Sequence, residues 1–158
     1  MAQNPKALER RNALIAKIME QYDEGAGGEV LPVVSLEDFF ESNWDEHSLA
    51  PNKAGDGRPP LQDCYRVLKE IRNRRDVQDV LVAIHESPEA DEEEDFDIWP
   101  DSDTVYVLSS GTRAEVTAWA APLQPDDVGE NWSCGTGKKP KAAAELQPGM
   151  KVYALWWD

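Results

Sequence analysis

Apolar residues recur at helical spacing after Asn4-Pro5. Leu8, Ile15, Ile18, Met19 and Tyr22 share one face, which predicts a helix over 5–22 with Asn4 as its N-cap and Gly25, Gly27 and Gly28 as its end. Val33 and Val34 form a short apolar run suited to an edge strand. Ser35 with Asp38 three residues on then reads as the cap of a second helix, with Leu36, Phe39 and Phe40 on its apolar side. A long polar loop spans 43–60 and ends in Pro59-Pro60. Leu61, Cys64, Tyr65, Leu68 and Ile71 restore the helical period over 61–74, with Arg66, Lys69 and Asn73 on the outer side.

At Val80 the period changes from 3.6 to 2. Val80, Val82 and Ile84 alternate with Leu81, Ala83 and His85, which predicts a strand covered on both faces. Val105–Leu108 is the next strand, and the two pair as a hairpin across an intervening loop at 86–103. Thr112 and Glu115 make a capping box for a short helix that turns Val116, Trp119 and Ala120 inward. Residues 122–148, punctuated by Pro, Gly and Lys, read as irregular. Met150 to Trp157 alternate as a last strand. This order predicts an α+β fold: a small antiparallel or mixed sheet of three to four strands with about four helices packed on it. At 158 residues, 1–158 reads as one domain whose core needs no metal or disulfide staple.

Charge alters this picture. Thirty-one acidic against sixteen basic residues leave −15, and the 86–103 segment alone holds ten carboxylates and no basic side chain. Such a field repels phosphate backbones and anionic bilayers, which disfavours nucleic acid and membrane, and it favours a basic protein partner. No apolar run approaches the roughly 18 residues of a membrane span, and the N-terminus lacks a signal peptide's charged and apolar regions. A cytoplasmic location with Cys64 and Cys134 as free thiols is the expectation; a Cys64–Cys134 disulfide is the less favoured alternative.

Catalytic and cofactor patterns are not found. The run Asp91–Asp97 has consecutive acids and no Gly, so it fails as an EF-hand. Cys134–Lys139 resembles a phosphate loop only superficially, because Trp132 and Lys139 stand where Gly and Ser or Thr are required. Neither thiol lies in a nucleophile pattern with His47 or His85, and the spacing of two Cys and two His does not suit zinc. Glu37 and Glu41 lie one turn apart, where desolvation could raise a pKa but solvation is the simpler reading. No cofactor is therefore expected.

What remains points to binding. Either the acidic segment is a solvated, self-repelling loop, or Glu92, Glu93, Glu94, Asp95 and Asp97 form a docking surface with Trp99 as apolar anchor. Trp156 and Trp157 must point to opposite faces of the last strand; Trp157 is taken as the second candidate anchor. The expected function is an acidic cytosolic binding protein capping a basic partner in the manner of an immunity protein. The alternatives are a hydrolase with dispersed carboxylates and a divalent metal, or a subunit of a structural homo-oligomer.

Overall fold

The computed structural model describes residues 4–22, 30–55, 57–132 and 138–158. Helix α1 runs Pro5–Gln21, with the Asn4 side chain accepting from the Ala7 N–H at 3.0 Å. Gly25, Gly27, Gly28 and Cys134 lie outside the described residues. Strand β1 (Val33–Ser35) leads directly into α2 (Leu36–Phe40), whose cap Ser35 accepts from the Asp38 N–H. Helix α3 covers Leu61–Arg72 and β2 covers Val77–Ala83. Then come β3 (Thr104–Ser109), α4 (Arg113–Ala120), β4 (Asp127–Glu130) and β5 (Lys151–Trp156). Both halves of the Thr112–Glu115 capping box are formed.

The fold is α+β, but the sheet has five strands, ordered β1-β2-β3-β5-β4 with every pair antiparallel, rather than three to four. The unexpected strand is β4, inside the segment read as irregular. Asp-Val-Gly-Glu holds one apolar residue and no alternation, so its pairing is imposed by β5 and not by its own pattern.

One sheet face carries Val80, Val82, Val105, Val107, Tyr153 and Leu155 against the helices, where Leu68 and Ile71 of α3 and Val116 of α4 complete the main core. The other face carries Leu81, Ala83, Tyr106, Leu108, Val152 and Ala154 beneath Trp132 and Ala143 of the 131–147 segment. Burial on both faces explains why β2 and β3 read as continuous apolar runs. Trp132 meets Tyr106 edge to face at 4.9 Å between centroids.

The buried stripe of α1 is Ala7, Arg11, Leu14, Ile15, Ile18 and Gln21, rotated from the expected one: Met19 is 45% exposed and Leu8 half-buried. The rotation brings two polar side chains inward. Gln21 pairs with the backbone of Val33 as a strand would, donating to its carbonyl at 2.9 Å and accepting from its N–H at 3.0 Å. Arg11 organises the acidic segment.

Candidate functional site

Two long loops, 43–60 and 86–103, join into one platform. Each is held from inside by a buried arginine. Arg11, fully buried, donates from Nε to the Ile98 carbonyl at 2.7 Å, and from Nη2 to the carbonyls of Asp95 at 2.7 Å and Glu89 at 3.5 Å. Burial lowers its pKa, and the carboxylate of Asp95 opposes that shift. Arg58 donates from Nε to the Leu49 carbonyl at 2.6 Å, from Nη1 to the Pro59 carbonyl at 2.7 Å and from Nη2 to the Glu46 carbonyl. A guanidinium offers five donors in a fixed fork, which suits it to gathering loop carbonyls that have no strand partner.

The loops are also bonded to each other. Ala50 N–H donates to the Ser102 carbonyl and Ser102 N–H to the Ser48 carbonyl, both at 2.7 Å. Ala50 holds a left-handed backbone (φ 48°) at this crossing, a conformation uncommon for a residue with a Cβ. Trp44 Nε1 donates to the Asp97 carbonyl at 3.0 Å, and Asp45 Oδ2 accepts from the Trp99 N–H at 3.2 Å. The acidic segment is thus hydrogen-bonded to α1 and to the 43–60 loop, with a 3₁₀ turn at Glu93–Asp95.

The expected site residues divide into two groups. Glu92, Glu93, Glu94 and Asp97 are exposed on the platform, and Asp95 is half-buried, its Oδ2 accepting from the Glu89 N–H at 3.2 Å. The two tryptophans are not on the surface. Trp99 is 0% exposed, packed edge to face on Trp44 at 5.2 Å. Its Nε1–H is buried and finds no acceptor among the described residues. Trp157 is 1% exposed and donates from Nε1 to the Leu123 carbonyl at 2.9 Å. Neither can anchor a partner. The helices cover the sheet face that Trp157 points into, so the indole left outside is Trp156, 41% exposed.

Sequence reasoning missed two residues of the platform. Ile98 stands 45% exposed amid the carboxylates, a position assigned to its neighbour Trp99. Arg11 was legible in principle: a charged residue on the stripe of Ala7, Leu14, Ile15 and Ile18 needs a buried counterpart.

Other candidates resolve into structural roles. Cys64 is buried, its Sγ donates to the Pro59 carbonyl at 3.3 Å, and burial pushes its thiol up to about 11, so no thiolate forms near neutrality. Glu37 makes a two-pronged pair with Arg72 at 2.8 and 2.5 Å, and that hydrogen bonding holds its carboxyl below the usual range. Lys139 donates to the carbonyls of Pro140 and Ala143 within its own loop. No group of three or more His, Cys, Asp or Glu side chains placed to hold a metal occurs among the described residues. No helix among them is long and apolar enough to cross a membrane.

The geometry defines an α+β fold with a carboxylate-covered loop platform. By sequence, the chain belongs to the YfbO family of uncharacterized proteins, whose profile matches residues 9–155 and so spans the platform and all of the sheet but Trp156. A relative from Escherichia coli (strain K12), described as "Uncharacterized protein YfbO", is 33% identical over 128 residues, covering 80% of this chain and 83% of the relative. No solved structure matches the chain.

Proposed function

We propose that this chain is a cytoplasmic binding protein whose acidic platform docks a basic protein partner, as an immunity protein caps a toxin. The observation that carries the reading is the fixing of the acidic segment by Arg11, with Glu92, Glu93, Glu94 and Asp97 outward and Ile98 exposed among them. A solvated loop has no need of a buried guanidinium. Holding like charges in one place raises the local field, which speeds encounter with a cation, and pre-ordering lowers the entropy lost on binding. An exposed apolar side chain inside a charged rim supplies the desolvated contact that slows dissociation.

The test compares retention from native extract by immobilised wild type, by the triple variant Glu92→Gln, Glu93→Gln, Glu94→Gln, and by Ile98→Ala. Kinetics with the purified basic protein then follow. The triple variant should slow association and flatten its salt dependence, and Ile98→Ala should mainly speed dissociation. If both bind as wild type does, the platform is not the docking surface.

A further inference from the structure

The sheet has two outer edges, and they are treated differently. At β1 the outward N–H and carbonyl of Val33 are both taken by the Gln21 side chain, which closes that edge to any further strand. At β4 the ladder to β5 includes the Asn131 N–H to Val152 carbonyl bond at 2.7 Å, so the two-residue period turns the backbone groups of Val128 and Glu130 outward. No hydrogen bond to these outward groups is made among the described residues. A groove of about 300 Å³ lies beside the Asp126–Val128 end of this edge, walled on its other side by Arg113 and Thr117 of α4 and by its C-cap Ala121. Thr117 folds its hydroxyl back onto the Arg113 carbonyl at 2.7 Å, which keeps that wall low.

We propose that the β4 edge accepts an extended, basic polypeptide segment as a sixth strand, lying in the groove between β4 and α4. Charge decides between the occupants that could add a strand. A second copy related by a twofold would bring the same acidic edge, Asp126 to Glu130, of two molecules of −15 each side by side, which their mutual repulsion opposes. A basic segment meets Asp126, Asp127, Glu130 and Asp158 instead. Among the described residues Asp127 is ion-paired with exposed Arg113 at 3.4 Å, a pair that a cation on the incoming strand can replace. On the sheet face away from the helices, β4 presents Gly129, and a Cβ added there would meet nothing nearer than Asp127 Oδ2 at 3.9 Å. That open position lies beside Trp156, the exposed indole paired with Asp127, so a Lys or Arg of the added strand can lie over its ring. The proposal stands on this edge and not on the acidic platform.

The probe is a synthetic nonapeptide of alternating Lys and Val, compared with its Glu/Val counterpart and with a copy N-methylated at alternate backbone nitrogens. Binding to the full chain is followed by amide chemical shifts and calorimetry. The Lys/Val peptide should shift the amides of Val128 and Glu130 and bind at least about tenfold more tightly than either control, as expected for one or two hydrogen bonds plus complementary charge. Glu130→Pro removes one outward donor without touching the β5 ladder and should weaken binding by about tenfold; Trp156→Ala should weaken it several-fold. The platform variant Glu92→Gln, Glu93→Gln, Glu94→Gln should bind the peptide as wild type does, which separates this proposal from the proposed function. Equal binding of the N-methylated peptide, or shifts that avoid β4, would overturn it as charge attraction alone. A concentration-dependent dimer abolished by Glu130→Pro would overturn it in favour of a second copy at the edge.

Discussion

Trp99 and Trp157 offer a matched comparison at the residue scale. Both are large, both essentially fully buried, and both belong to the main core. They differ in one bond: Trp157 Nε1–H reaches the Leu123 carbonyl, whereas Trp99 Nε1–H finds no acceptor among the described residues. Trp→Phe removes similar volume at each site, but only at 157 does it orphan a buried acceptor. Trp157→Phe should therefore cost about 1–3 kcal/mol more than Trp99→Phe in urea unfolding. Equal costs would show that the Trp99 indole is hydrogen-bonded in solution. Arg11 makes the opposite case, since its removal orphans several carbonyls at once. Arg11→Met should cost about 2–4 kcal/mol and sharply lower hydrogen-exchange protection across 89–98. Protection like that of wild type would mean the acidic segment holds itself. The sequence shows that successive strand residues oppose each other, but which face the helices cover is settled by packing. The alternation alone therefore cannot tell that Trp156, and not Trp157, is the exposed indole.

Elements with a strong period of their own were legible. Helices α1 and α3, strands β2, β3 and β5, and the capped α4 appear where the spacing of apolar residues and the caps put them. Leu68 lies at the centre of the helix-covered core, and Leu68→Ala should cost roughly 2–5 kcal/mol, which equilibrium unfolding would read directly. Elements whose structure is imposed by a neighbour were not legible. β4 exists because β5 offers a free edge, and the 43–60 loop is ordered because Arg58 collects its carbonyls. The phase of α1 differs from the apolar spacing because Arg11 and Gln21 sit on its inner stripe, where a count of apolar residues passes over them. Within the stretch read as irregular in sequence, Trp132 and Ala143 still serve as a layer of the fold. Trp132→Ala should cost about 3–5 kcal/mol and expose Tyr106, with a change in tyrosine fluorescence and near-ultraviolet dichroism. A variant with wild-type stability would show that this layer is dispensable.

For the whole molecule the governing quantity is a surplus of fifteen negative charges on a folded chain, and it sets an expectation for stability against pH and salt. Asp79 and Asp101 have their carboxyls raised above the ordinary value by burial. The folded state binds these protons more readily than the unfolded chain, so stability rises as pH falls through their folded pKa values, and the gain is complete below the ordinary carboxylate range. General repulsion relaxes in the same direction. Glu37 acts in the opposite sense. Its pairing with Arg72 lowers its pKa, so its contribution is present above the ordinary value near 4.5 and is lost only as pH falls through the lower folded value. The melting temperature should therefore climb from pH 8 to a maximum on the acid side of neutrality, and fall again once Glu37 protonates. Salt separates the two causes. Raising ionic strength from about 0.01 to 0.15 M shortens the Debye length from ~30 to ~8 Å, which screens surface repulsion but barely reaches desolvated carboxyls. At pH 8 added salt should raise the melting temperature by a few degrees, yet part of the rise toward acid pH should persist in high salt. A melting temperature that falls as pH drops toward the carboxylate range, before Glu37 protonates, would contradict the raised carboxyls of Asp79 and Asp101.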